Sequence, residues 1–328
     1  YNKDLKPEQT KSVDAGISLE LWNRLTLDVN WYNRRTEQAL LDVPIPASTG
    51  FTNLQRNIGI LQNRGIEVGL SARLVDTPEW MVRIGVNMAY NRNKVIDLYY
   101  ADKIYSSDQA LVPDYEIGKS YDMLYGPISL GINPLTGYPV FWSEKNGEKQ
   151  ATEVLEKEDL VALGHLTPPY TGSINLSMSY KSFDLDMDFY YVHGGVQAFK
   201  YTYVRDKDDV QKNAVAGQTA NMWFRPGDEN KIYATPFNTS GIAENNMLLP
   251  NSLTVGRSDY LRLSMLSLRY RLPARFLRKY LPFVQYANVA LRGSNLFTWT
   301  TYRESDPESG TLAGTLQPVY SVNVNLTF

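Results

Sequence analysis

The 328-residue chain has no cysteine, which excludes a disulfide framework and any thiolate metal site. It has only two histidines, His165 and His193, far apart in sequence and without a carboxylate at ligand spacing. No GxSxG elbow is present either, so hydrolysis by a metal or by a nucleophile and base has no support. The expectation is a protein that is not an enzyme and needs no cofactor or metal. An excess of charge is missing as well: 33 basic against 35 acidic residues leave a net charge of -2, without the basic footprint that nucleic-acid binding requires. No stretch approaches the roughly 18 consecutive apolar residues of a transmembrane helix, and no helical period of useful length appears. The chain starts at Tyr1 with neither a methionine nor a signal peptide, and so reads as a piece of a longer precursor.

What the chain does have is rings and alternation. Its 23 tyrosines and 6 tryptophans raise the aromatic share to 12%, a composition suited to interfaces. Along residues 171 to 192, Ile174, Leu176 and Met178 alternate with serines and Asn175; after the Lys181-Ser182 corner, Leu185, Met187 and Phe189 alternate with Asp184, Asp186 and Asp188. This period of two predicts a hairpin. The same pattern recurs at 13–21, 25–31, 66–74, 80–90, 261–272, 289–291 and 320–328, giving nine predicted strands, with two weaker ones near 117–130 and 138–142. Leu261 and Leu263 stand out of phase with Leu266 and Leu268, which predicts a bulge near Met265 and Leu266.

The connections are lopsided. Those at 23–24, 75–79 and 181–182 are tight, whereas 38–56, 93–170, 194–257 and 300–318 are long. Short turns on one side and long loops on the other is the layout of an outer-membrane barrel. Apolar rows also begin or end on rings, as from Trp80 to Tyr90, Phe183 to Tyr191 and Tyr320 to Phe328. At about 3.3 Å per residue and a tilt near 40°, such rows span roughly 25 Å of membrane. A soluble β-sandwich glycan-binding module would alternate in the same way, and stays open as the alternative on pattern alone.

Longer motifs narrow the choice. The stretches "LKPEQTKSVDAGISLELWNRLTLDVNWYNRRTEQALLDVPIPASTGF" (5–51), "NIGILQNRGIEVGLSARL" (57–74), "LGINPLTGYPVFW" (130–142), "SDYLRLSMLSLRYRLP" (258–273), "GSNLFTWTTYRESDPE" (293–308) and "NVNLTF" (323–328) follow one another in the order seen in SusC-like (SusC/RagA family) TonB-dependent outer-membrane transporters of the Bacteroidetes, and the chain resembles that family from end to end. The resemblance implies an all-β fold, an antiparallel transmembrane β-barrel. Residues 1–328 would form the C-terminal part of a single barrel domain, contributing about nine to eleven of roughly 22 strands, with the N-terminal plug and early strands absent. It implies import of large nutrients, glycan oligosaccharides or peptides, across the bacterial outer membrane. The implied partners are a SusD-like surface lipoprotein, the TonB-ExbB-ExbD energy complex, the barrel-assembly machinery and outer-membrane lipid. A siderophore or metal-chelate TonB receptor is the alternative within transport. The segment 143–165 keeps Asn146-Gly147 but departs in its wording from the acidic "DVNGDG"-type loop of many relatives.

Several residues are candidates for function. Asp184, Asp186 and Asp188 share one strand face at roughly 7 Å spacing and are expected to face a wet lumen. Tyr138, Trp142, Trp223, Phe224 and Arg225 fall in long connections, where rings beside an arginine suit stacking on a ligand or packing within the loops. Residues Arg205 to Asp209 read as a solvated loop tip. Arg275, Arg278 and Lys279 read as periplasmic headgroup or solvent contacts. Phe328, a terminal aromatic on an alternating last strand, resembles the signal read by the assembly machinery and suits the periplasmic girdle.

Overall fold

The computed structural model describes residues 5–45, 50–51, 53–107, 110–145, 148–199, 220–231, 249–303, 306–308 and 316–328. In chain order, β1 (Gln9–Leu21), β2 (Leu25–Pro44), β3 (Asn53–Asp76) and β4 (Trp80–Asp97) are followed by seven short strands: β5 (Lys103–Tyr105), β6 (Pro113–Glu116), β7 (Met123–Pro127), β8 (Ser129–Ile132), β9 (Pro139–Lys145), β10 (Glu148–Thr152) and β11 (Leu160–His165). Then come β12 (Tyr170–Tyr180), β13 (Phe183–His193), the short β14 (Val196–Ala198) and β15 (Val255–Arg257), and finally β16 (Tyr260–Arg271), β17 (Tyr286–Thr300) and β18 (Val319–Thr327).

The long strands make one antiparallel sheet of nine, in the order β1-β2-β3-β4-β12-β13-β16-β17-β18. Every long strand pairs with its predecessor among the long strands, as in an up-and-down barrel wall. The pairing puts all apolar rows on one face. One such row runs Leu21, Leu25, Ala72, Ile84, Leu176, Met187 and Leu266 across seven strands. Ser71, Asn87, Asn175, Asp186 and Ser267 lie on the opposite face. Val13, Leu291, Val322 and Val324 are more than half exposed, so this face is not the core of a soluble fold.

Rings close the apolar band at the short-turn end. Trp80 stacks on Tyr180 at 4.1 Å, Phe183 meets Tyr270 at 4.8 Å, and Phe283 lies parallel to Phe328 at 6.3 Å. At the other end Tyr90 and Tyr170 meet at 4.7 Å. Tyr191 lies over Gly172, where an added Cβ would come within 2.5 Å of its hydroxyl; the ring covers the gap that the glycine leaves in the apolar face.

The tight corners lie where the pattern puts them. Arg24 donates its N–H to Leu21 O at 3.1 Å, with Trp22 and Asn23 left-handed (φ 54° and 51°) as a hairpin corner requires. The bulge is at Ser264, one residue before its predicted place: Met265 pairs with Asp188 and Leu263 with Phe189. The Ser264 hydroxyl donates to the carbonyl of Asp188 at 2.9 Å, which fixes the extra residue.

Three expectations need correction. The connection 38–56 is mostly strand, because β2 runs to Pro44 and β3 starts at Asn53. A strand of 24 residues far exceeds the roughly 9 to 11 that cross a bilayer, so β2 and β3 project well past it; alternation fades there because no continuous lipid face imposes it. Gln38, left-handed at φ 58°, marks the register shift at which that change begins. Second, the weak strands near 117–130 and 138–142 exist as β7, β8 and β9 but pair with neighbours in the loops, outside the nine-stranded wall. Third, a helix of seven residues, α1 (Ala274–Tyr280), occupies the 272–285 connection. It is held by Leu277, packed with Val284 and Ala287, and is too short to leave a readable helical period.

At the long-loop end the connections build their own small cores. Leu41, Ile58, Val95, Leu98 and Ile104 pack together above the membrane band, and Phe141, Leu155 and Leu160 form a second cluster.

Candidate functional site

The polar face of the wall and the loop end above it are where a solute would meet the protein. Each of the three aspartates on β13 is engaged by the residue opposite it on β12. Ser179 and Ser177 donate to Asp184 and Asp186, both at 2.8 Å, and Asn175 donates to Asp188 at 2.7 Å. Arg271 adds a contact of 3.0 Å to Asp184. The carboxylates therefore form a ladder of separate hydrogen bonds, and among the described residues no group of three or more His, Cys, Asp or Glu could hold a metal ion.

Beside this ladder a groove of about 560 Å³ crosses the polar face of β2, β3, β4, β12 and β13. Asp28, Asn30, Glu67, Asn87, Ser173 and Tyr190 line it, and Gly69 and Ala89 keep its floor low. Hydrogen-bonding groups alternate around it without a buried charge, which suits a surface that solutes slide past.

A buried lock pins one loop to the wall. Arg262, on the polar face of β16, has a side chain only 4% exposed. Its guanidinium contacts Asp306 at 3.1 Å and Glu308 at close range, and its Nε donates to Thr298 at 3.0 Å. It also lies 4.9 Å over the Tyr260 ring. Charge, hydrogen bonds and stacking are all satisfied at once, as a buried ion pair requires.

A second fastening joins β4, the loop after it and the bend leading into β12. Asp122 accepts from the Ser120 hydroxyl and from the Thr167 N–H at 2.7 Å. Burial works against ionisation of Asp122, but the hydrogen bonds from Ser120, Thr167 and Asn93 outweigh it and hold the carboxyl below its ordinary range. Nearby, burial and the Glu116 carboxylate, which accepts from the Tyr125 hydroxyl at 2.7 Å, hold that phenol firmly protonated.

The ring-rich loop residues divide. Trp223 packs on Gly137, where a Cβ would come within 2.3 Å of the indole; this contact joins the 221–231 segment to the turn carrying Tyr138. Trp223 is thus a packing residue between loops. Trp142 on β9 is 41% exposed and Phe224 49%, with Arg225 exposed beside Phe224. Tyr138 is half-buried. Residues 205–209 and Asn146-Gly147 lie outside the described residues.

The pattern in the sequence did not point to a pair of clefts above the membrane band. One, of about 490 Å³, is lined by Lys6, Gln38, Arg56, Asn57, Tyr99 and Tyr100 among others; the next, of about 300 Å³, by Ile58, Tyr100, Lys103, Ile104, Tyr105 and Lys157 among others. Arg56, Ile58 and Tyr100 belong to both, and Tyr100 is 81% exposed. The adjacent tyrosines 99 and 100, just past the end of β4 and close to lysines, were the available signal; they were easily passed over as the tail of an aromatic-rich strand.

Comparison with known proteins agrees with this geometry. The family described as "TonB dependent receptor-like, beta-barrel" matches residues 1–296. The chain is 28% identical over 327 residues to TonB-dependent receptor P3 of Formosa agariphila, covering 94% of this chain and 31% of that protein. It is 29% identical over 137 residues to TonB-dependent receptor SusC of Bacteroides thetaiotaomicron, 38% of this chain and 14% of that one. Among solved structures, the RagAB peptide transporter superposes over 100% of this chain and 36% of its own, with 25% identity and a TM-score of 0.77. The chain thus spans about a third of the length of TonB-dependent receptors P3 and P26.

Proposed function

Because the chain belongs to the TonB-dependent receptor-like β-barrel family, whose SusC-like members lie in the outer membrane, we propose that it forms barrel wall and outer loops of a TonB-dependent importer of large nutrients. The observation that carries this reading is the two-faced nine-stranded sheet, with an apolar band between rings on one side and a ladder of hydrogen-bonding groups on the other. Residues 1–328 would belong to one barrel domain. The cargo would be an oligosaccharide or a peptide; the likeness to a structure described as a peptide transporter supports the second.

In this reading Asp184, Asp186 and Asp188 face the lumen, already engaged by Ser179, Ser177 and Asn175, and give it a hydrated wall. Trp142, Phe224 and Arg225, exposed at the loop end, and Tyr138 beside them in the same loop layer, would offer rings and a cation to arriving cargo, while Trp223 holds their loops together through Gly137. Phe328, stacked near Phe283 in the short-turn girdle, would be read by the barrel-assembly machinery. A SusD-like lipoprotein would cover the loop end, and energy would come through TonB, ExbB and ExbD.

The test is purification of the full-length protein from detergent-solubilised outer membranes, with mass spectrometry of what accompanies it. A SusD-like lipoprotein in near-equal amount is the expected result. Recovery alone from outer membranes, with no change in peptide or oligosaccharide uptake when its gene is deleted, would overturn the proposal.

A further inference from the structure

Just past the upper ring row the outward face of the wall changes character. Trp31, Ile66, Tyr90 and Tyr170 are ladder neighbours at the top of the apolar band. The next outward positions are Asn33, Arg64 and Arg92, with Arg64 directly opposite Arg92. One step higher, Lys11 faces Arg35, Arg35 faces Gln62, and Gln62 faces Lys94. Glu37 occupies Lys11 at 2.7 Å and Arg35 at 3.4 Å. Among the described residues, Arg64, Arg92 and Lys94 have no carboxylate within ion-pair distance.

Like charges facing each other across a ladder destabilise a sheet, so the Arg64–Arg92 pair calls for a counter-charge from outside the chain. The surroundings sharpen the point. Arg34, at the same height on the inward face, has Asp14 at 3.6 Å. Arg257, on the loop strand β15, has Asp259 at 2.8 Å. On the outward face at this height, Arg64, Arg92 and Lys94 lie side by side on β3 and β4. Two residues above Tyr90 is about 6 to 7 Å along the strand and roughly 5 Å along the membrane normal, just outside the hydrocarbon, where lipid headgroups begin. A cleft of about 380 Å³ opens beside Tyr90 and Arg92 and is also lined by Lys119 and His165.

We propose that this band binds the phosphate groups of outer-leaflet lipid headgroups. Arg64 and Arg92 supply paired guanidinium forks, the geometry suited to phosphate oxygens; Lys94 adds a third positive charge, and Trp31, Tyr90 and Tyr170 seat the apolar part of the same lipid below. The site depends on the barrel standing with its long loops outward and not on what it imports.

The test uses the full-length protein in detergent, native mass spectrometry, and phosphorylated lipid A or the same lipid with its phosphates removed as the added probe. The wild-type protein should retain the phosphorylated form, and R64Q/R92Q should lower that retention by roughly tenfold or more, as expected for losing two charge-assisted contacts. R34Q, at the same height but facing inward, should retain it like the wild type. Heat-modifiability on gels checks that each variant is a folded barrel. Equal retention by wild type and R64Q/R92Q, or equal loss in R34Q, overturns the proposal. Should R64Q/R92Q not fold, the wild type alone decides: holding the dephosphorylated lipid as firmly as the phosphorylated one overturns the site, and preference for the phosphorylated form supports it.

Discussion

The two faces of the β12–β13 hairpin carry residues of equal density but solve different problems. On the outer face Ile174, Leu176, Leu185 and Met187 need only an apolar surrounding, since lipid accepts any apolar side chain of suitable size. On the inner face Ser177 and Asp186, or Asn175 and Asp188, are chosen as pairs, each donor meeting one acceptor across the ladder. The outer face is therefore specified by solvent and the inner face by neighbours. Substitutions should be costly outside according to depth and polarity, and costly inside according to what partner is orphaned.

The largest effect should come where a buried ion pair is broken. Arg262→Ala would take the guanidinium away from Asp306, 5% exposed, at a cost of about 3 to 5 kcal/mol. The expected outcome is a clear drop in the temperature at which the solubilised barrel loses its compact gel mobility, with the 301–318 connection cleaved first by added protease. An unchanged mobility transition would mean the lock is not specified by its partners. Next comes the outer face at mid-depth: Met187→Arg should cost about 2 to 4 kcal/mol and reduce the amount of folded barrel recovered from membranes, whereas Met187→Leu should be nearly silent. If arginine is tolerated there as well as leucine, the outer face is not lipid-facing.

Asp186→Ala should cost only about 1 kcal/mol, because the stranded Ser177 hydroxyl can find water in a wet lumen. Removing both partners, with Ser177→Ala added, should cost no more than either alone, a coupling that a double-mutant cycle on the melting transition would read. The smallest effect is one of pH. Since the folded carboxyl of Asp122 lies below its ordinary value of 3.8, its contribution is complete above that value and is lost as pH falls through the lower folded one. The protection factor of the Thr167 amide, its exchange rate corrected for the intrinsic pH dependence, should fall only in that acid window, and Asp122→Asn should remove that change.

The legibility of the molecule follows the same division. The nine staves and their tight corners were readable because lipid imposes a strict period of two on each of them, from Val13 to Phe328. The reading failed where that constraint ends. Gln38 to Pro44 and Asn53 to Ile58 stay in strand beyond the membrane without alternating, held by pairing with each other and by a small core with Val95 and Leu98. Helix α1 was hidden for a different reason: seven residues are fewer than two helical turns. For Trp223 the sequence left stacking on a ligand and packing within the loops both open; only the fold shows Gly137 against its indole.

By itself the sequence determined that the fold is all-β, the number of staves in the wall and which face of each is apolar, since all three rest on local periodicity; the long motifs, not the period, pointed to a membrane barrel. Only the tertiary structure decided which partners those residues take. It set Arg262 among Asp306, Glu308 and Tyr260, Asp122 on Thr167, and Arg64 across from Arg92. Apart from the Tyr260 contact, these join residues 28 to 46 positions apart in the chain, and no periodicity encodes them, because register and loop closure are settled only when the whole sheet pairs.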